Sequence, residues 1–214
     1  MANEKTVSYT STNTYTTVNT LTPKTKNIWI AFHGLGYLSR YFARYFRHLN
    51  PEENYIIVPQ APSKYYQGND FKHVGASWLT KENTKQETKN VLAYIDAVWE
   101  AEKPTVMTNF IVLGYSQGVS IATRWLASRN IICDHLVLHS GGIPKELKPK
   151  DFSFLKPETK VTYLYGNKDP YITEARKTEE QLKGDALFGN RLQVTVFEGI
   201  HEMNTAFLQQ LAIS

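Results

Sequence analysis

An α/β fold, a mostly parallel twisted sheet flanked by helices, is what this sequence predicts, and three observations carry it. Short runs that are apolar at every position recur along the chain, and segments with helical spacing separate them. No repeat and no Pro-, Gly- or Ser-rich linker interrupts the alternation. With 214 residues the chain can bury one sizeable core, so a single domain over 1–214 is expected.

Taken in order, residues 6–20 alternate Thr, Val and Tyr around Ser11-Thr12-Asn13, the pattern of an antiparallel hairpin. Apolar runs follow at 28–32, 55–59, 110–115, 135–139, 161–165 and 193–197. A strand apolar on both faces suits a parallel sheet covered on both sides. Helical spacing marks 38–49, 84–102, 117–128, 173–182 and 202–211, while 141–160 shows no regular element and leaves no room for a large lid domain. In such a sheet ligands gather at the carboxyl ends of the strands, so the residues just past each run are where chemistry is expected.

Composition narrows the classes. Hydrophobic content of 42% with 21% charged residues is that of a globular protein, which excludes disorder over most of the chain. The net charge of +4 comes from scattered Lys and Arg with no dense basic block, so no nucleic-acid partner is expected. Cys133 is the only cysteine, which removes intrachain disulfides and cysteine-based metal sites. The histidines show no helical i, i+4 pair with a carboxylate beside it, and nothing else asks for a metal or cofactor. The polar residues 1–13 do not resemble a signal peptide, and no apolar stretch reaches the roughly 18 residues of a membrane span. A soluble, cytoplasmic protein without an integral membrane segment is expected.

The run 110–115 leads into Gly114-Tyr115-Ser116-Gln117-Gly118, and a helical pattern follows at once. A serine hydroxyl is a weak nucleophile that needs a base in hydrogen-bond reach and an exposed position. A tight strand-to-helix turn with small residues on either side supplies the exposure, and the amides of the helix start favour developing negative charge. The acid and the base of such a site should come later in the chain, in that order. Asp169 follows the run 161–165 within Gly166-Asn167-Lys168-Asp169-Pro170, and His201 follows 193–197 within Glu198-Gly199-Ile200-His201-Glu202. His201 would take the Ser116 proton, and Asp169 would hold the ring in the right tautomer. His139 also ends a strand but has no acid beyond it in the right order, and is expected to be a hydrogen-bonded structural group. A tetrahedral intermediate needs two fixed N–H donors: the amide of Gln117 is one, and that of Leu35, in His33-Gly34-Leu35-Gly36, is the other. His33 is expected to pin that loop rather than act as a base.

Together with Pro59-Gln60-Ala61-Pro62 and Ser77-Trp78, these segments resemble the successive motifs of the phospholipase/carboxylesterase family, which includes the acyl-protein thioesterases. The resemblance runs from about residue 28 to the end of the chain. It implies an α/β hydrolase without a large lid, acting on carboxylic esters, and possible partners of the same kind are thioesters and lysophospholipid-like acyl esters. Two positions depart from the family pattern, Tyr37 where an acidic residue is usual and Val119 where a second glycine is usual. The residue matching Trp78 lies near the active site in the family, so Trp78 is expected to bind substrate, and Tyr65, Tyr66 and Phe71 either wall the same pocket or cover the core. Ile143, Phe152, Phe154 and Leu155 are expected to close the opposite side. The readings weighed against a serine esterase are an idle hydrolase fold serving as a binding module, and an amide or peptide hydrolase with the same three residues.

Overall fold

The computed structural model describes residues 2–102 and 108–213. Seven strands form one sheet: β1 (Tyr15–Val18), β2 (Asn27–Phe32), β3 (Asn54–Pro59), β6 (Asn109–Tyr115), β7 (His135–His139), β8 (Lys160–Gly166) and β9 (Leu192–Phe197). Their order is β1-β3-β2-β6-β7-β8-β9, with every pair parallel except β1–β3. A separate two-stranded antiparallel ribbon consists of β4 (Ser63–Gln67) and β5 (His73–Ser77).

Strand periodicity explains the three layers, because successive side chains point to opposite faces. In β2, Ile28, Ile30 and Phe32 join the core beneath α2 (Thr84–Glu102) and α3 (Gln117–Arg129), against Val91, Ile95, Ile121 and Trp125. Trp29 and Ala31 face the other way, onto Phe42 and Phe46 and onto Leu208 of α5 (Thr205–Ala212). The expected helix 38–49 is instead one turn, α1 (Ser39–Phe42), followed by a 3₁₀ turn over Ala43–Phe46. A fifth helix, α4 (Glu174–Phe188), runs past the end expected for it and is capped by the Thr173 side chain. Before Lys160, where β8 begins, the stretch from residue 141 holds only a 3₁₀ turn, Pro149–Phe152.

The N-terminal hairpin is not formed. Only Tyr15–Val18 is a strand, and it pairs with β3 (Tyr15 with Pro59, Val18 with Ile56) rather than with an upstream partner. The alternation was real but had no second apolar face to meet: Val7 and Tyr9 stay more than 80% exposed, at 87% and 83%. At the sheet edge β1 instead gains a ladder along its whole length.

The chain enters the middle of the sheet at β2, moves outward to β3 and then returns to the other side at β6. The strand order therefore reverses between β2 and β6, and ligands bind in the crevice outside the carboxyl ends at such a switch point. Phe32 and Gly114 are register partners there, so the loop after β2 and the turn after β6 leave the sheet side by side.

Candidate active site

Ser116 sits between β6 and α3 with φ 53° and ψ −116°, a conformation unfavourable for any residue with a side chain. The surroundings enforce it. The Ser116 N–H donates to the His139 carbonyl at 2.8 Å, and the Val119 N–H donates to the Ser116 carbonyl at 3.1 Å. Glycine is obligatory around the turn because backbone closes on it: a Cβ at Gly118 would lie 2.0 Å from the Phe32 carbonyl oxygen, and one at Gly141 would lie 2.1 Å from that of Ser116.

Two further loops meet this turn. Asp169 follows β8 and His201 follows β9, and the loops are laced together by Asn167 N–H to the Phe197 carbonyl (2.8 Å) and Lys168 N–H to the Gly199 carbonyl (2.9 Å). The His201 Nδ1 lies 2.7 Å from Asp169 Oδ2, and its Nε2 lies 3.0 Å from the Ser116 Oγ. The other carboxylate oxygen, Oδ1, accepts the Tyr171 N–H at 2.9 Å. With Asp169 side chain wholly buried and the His201 side chain 19% exposed, the ion-pair geometry is shielded while the imidazole still reaches solvent. A carboxylate can only accept here, so Nδ1 carries the proton and Nε2 is left to accept the serine O–H. Beneath the imidazole lies Tyr115, whose hydroxyl donates to the His201 carbonyl at 3.0 Å, and the Tyr171 ring stands edge-on to it at 4.8 Å. Neither tyrosine was picked out from the sequence, since ring contacts across loops leave no local pattern.

The Gly34 loop passes over the serine closely enough that a Cβ on Gly34 would be 3.1 Å from the Ser116 Cβ. Among the described hydrogen bonds none uses the Leu35 N–H, and the Gln117 N–H is one of the orphan donors at the start of α3. Leu35 itself is 55% exposed. His33 pins the loop as expected: its Nε2 accepts the Ala61 N–H at 3.1 Å, which makes Nδ1 the donor to the Gly34 carbonyl at 2.8 Å.

Trp78 differs from expectation. Its side chain is fully buried, so it offers no wall to a substrate; the indole N–H donates to the His33 carbonyl at 2.8 Å and the ring packs on the His33 imidazole at 5.0 Å. It supports the loop from behind. The side chain of Gln117 completes the brace, accepting the Trp78 N–H at 2.8 Å and donating to the Leu79 carbonyl at 2.8 Å and to Ser77 Oγ at 3.1 Å. Phe152 and Leu155 are buried in the core with Phe188 of α4 rather than closing a pocket, Phe154 packs against the same core, and Ile143, though buried, also borders a surface groove beside α4. Tyr65, Tyr66 and Phe71 do not cover the core: the two tyrosines stand exposed on β4 and Phe71 on the turn that joins it to β5, and the ribbon is fastened to the site by the Gly36 N–H donating to the Ala76 carbonyl at 2.9 Å. Among the described residues no three His, Cys, Asp or Glu side chains gather into a metal site, and no helix is long and apolar enough to cross a membrane.

The profile of the phospholipase/carboxylesterase family matches residues 13–213. The chain belongs to that family. Among solved structures of similar fold, maize acyl-protein thioesterase 2 shares 14% identity over 94% of this chain and 97% of its own, with a TM-score of 0.68. The phospholipase/carboxylesterase of Dyadobacter fermentans shares 17% identity over 96% of this chain and 99% of its own (TM-score 0.65), and the Bacillus cereus carboxylesterase 15% over 94% and 92% (TM-score 0.64). No curated protein matches the chain in sequence. Membership in the phospholipase/carboxylesterase family supports a hydrolase of the esterase or thioesterase type, and the mostly parallel sheet flanked by helices is the α/β-hydrolase fold.

Three histidines outside the Ser116 cluster make the fold of this chain acid-sensitive. Burial pushes His33 and His135 down to about 4 and His139 to about 3, with Lys160 adding to the effect on His135 and His201 to that on His139. His139 is held neutral by its bonds: Nε2 accepts the Asn204 N–H at 3.1 Å, leaving Nδ1 to donate to Ser140 Oγ at 3.0 Å. Since the folded values lie below the unfolded one near 6.5, the unfolded chain binds more protons below that pH. Their contribution is therefore complete above pH 6.5 and is lost as pH falls toward 4. Each histidine is expected to cost about 2 kcal/mol of stability by pH 5. Urea midpoints measured between pH 7 and pH 5 should fall steeply, and a flat profile would show that the three rings are accessible to protons in the folded state.

Proposed function

We propose that this protein is a serine hydrolase that cleaves carboxylic esters or thioesters through an acyl-enzyme, with residues 1–214 acting as one catalytic domain. One observation supports the reading above all others: the His201 imidazole joins the Ser116 hydroxyl at 3.0 Å and the buried Asp169 carboxylate at 2.7 Å. In the first half-reaction Nε2 of His201 takes the proton as Ser116 Oγ attacks the acyl carbon, and Asp169 stabilises the imidazolium that results. The Leu35 and Gln117 N–H groups receive the oxyanion, and loss of either donor typically slows such reactions by roughly 100- to 1000-fold. The imidazolium then protonates the leaving alcohol or thiol, and a water activated by the same nitrogen releases the acid.

Wild-type protein is expected to turn over short-chain p-nitrophenyl esters and to take up one fluorophosphonate per chain, located on Ser116 by peptide mass spectrometry. Labelling elsewhere, or no labelling together with no turnover, would favour the idle binding module. Family membership favours esters and thioesters over amides as the scissile bond.

A further inference from the structure

A groove of about 560 Å³ opens beside the candidate active site, between the segment after β7 and the first turns of α4. Four cations and three carboxylates line it, and the pairing among them is uneven. Arg124 pairs with Glu146 at 2.7 Å, Lys145 with Glu179 at 3.3 Å, and Lys183 with the buried Glu180 at 2.8 Å. Every carboxylate is thereby engaged. Among the described residues no carboxylate pairs with Arg176, whose guanidinium donates from Nη1 to the Tyr171 carbonyl at 3.3 Å.

That guanidinium is linked to the reacting centre by two short routes, one through Gly142 and one through Tyr171. On one side its Nη2 would be only 2.8 Å from a Cβ at Gly142, and Gly142 follows Gly141, which presses on the Ser116 carbonyl. On the other side the Tyr171 it holds sets its ring edge-on to His201 at 4.8 Å. Glycine at 142 thus keeps open the space that the arginine occupies. Gly141 and Gly142 separate the guanidinium from the Ser116 backbone, a span on the order of 10 Å. Thr173, Ala175 and Arg176 also bring the positive end of the α4 dipole to the groove.

An unpaired, half-buried arginine next to a nucleophile is suited to a planar anion, which it can hold with two parallel N–H bonds. We infer that Arg176 is a specificity-determining residue that receives a carboxylate carried by the substrate a few carbons from the scissile bond, so that the preferred substrates are anionic esters. The inference rests on the ester-hydrolase reading above and deepens it. The carboxylate could lie on the acyl or on the alcohol part, and the chemistry of recognition is the same.

Two matched pairs of esters separate these sources: mono-p-nitrophenyl glutarate against p-nitrophenyl valerate for the acyl side, and 3-acetoxypropionate against propyl acetate for the alcohol side. In the wild type kcat/KM is expected to favour the anionic member of at least one pair, and the preference should shrink as ionic strength is raised. In Arg176→Gln the anionic-to-neutral ratio for that pair is expected to fall by roughly 10- to 100-fold, and Arg176→Lys should recover part of it. Ratios that are unchanged in Arg176→Gln for both pairs, or a wild type that prefers the neutral member of both and is indifferent to salt, would overturn the assignment while leaving the esterase reading intact. A wild type inactive on all four esters and unlabelled by fluorophosphonate would overturn the esterase reading, and this one with it.

Discussion

Replacing Ser116 with alanine is expected to lower kcat for a p-nitrophenyl ester by roughly 10⁴- to 10⁶-fold, the loss seen when the nucleophile of an interdependent set of residues is removed. The size follows from the geometry. Among the described residues this is the hydroxyl bonded to His201 Nε2, at 3.0 Å, and no other serine shares the turn that the β6–α3 junction imposes. Activity should remain measurable above water, since the Leu35 and Gln117 amides would still polarise a bound carbonyl. Stability should barely change. Alanine carries the same Cβ as serine, so it meets the same strain at φ 53°, and the backbone bonds to His139 and Val119 do not involve the hydroxyl. Urea unfolding of wild type and Ser116→Ala, read beside kcat, separates loss of chemistry from loss of fold. A fall of less than tenfold in kcat would show that another group attacks the ester.

The features that could be read from the sequence are those fixed by near neighbours. The run 28–32 is apolar on both faces because β2 is central, and its residues divide between two cores exactly as period-two geometry requires of a covered strand, with Ile30 on one side and Trp29 on the other. The bounds expected for the longest helix, 84–102, are those of α2, because Val91, Leu92, Ile95 and Val98 recur at helical spacing over a length that turns cannot imitate. Ser116, Asp169 and His201 each follow a strand end, and the parallel register of β6 to β9 carries those ends to one rim. What escaped depends on distant partners. The alternation in 6–20 suits a strand, yet which strand it joins was decided by the open edge of β3. Residues 38–49 have helical spacing, but Phe42 and Phe46 are held by Trp29 and Tyr115 in a cramped corner where the chain tightens into a 3₁₀ turn. The ribbon β4–β5 was hidden because its tyrosines face solvent instead of alternating with a buried face. The fate of Trp78, from expected substrate contact to buried brace, turned on His33, a partner 45 positions away whose carbonyl takes the indole N–H and whose ring packs on the indole.

The substitution Asp169→Asn tests the arrangement more finely, because it keeps shape and removes only charge and one acceptor. Each carboxylate oxygen already has a donor: Oδ2 faces His201 Nδ1 at 2.7 Å and Oδ1 faces the Tyr171 N–H at 2.9 Å. An amide has one oxygen and one NH₂ group, so it cannot accept from both. If its oxygen turns to Tyr171, the NH₂ group donates to Nδ1 and drives the proton onto Nε2, where the ring can no longer accept from Ser116. If its oxygen turns to His201, two N–H groups are forced together in a site where the side chain is wholly buried. The first arrangement costs less, and it yields the unproductive tautomer. In either case the imidazolium loses its compensating charge. The expected outcome is a kcat about 10⁴-fold below wild type with the fold retained and stability lowered by about 1–3 kcal/mol. Fluorophosphonate labelling of Ser116 should slow in step with kcat, because both need the same proton transfer. A variant that stays within tenfold of wild type in both rates would mean that the ring is oriented by something other than this carboxylate, and the Tyr115 hydroxyl on the His201 carbonyl at 3.0 Å would then be the first contact to remove.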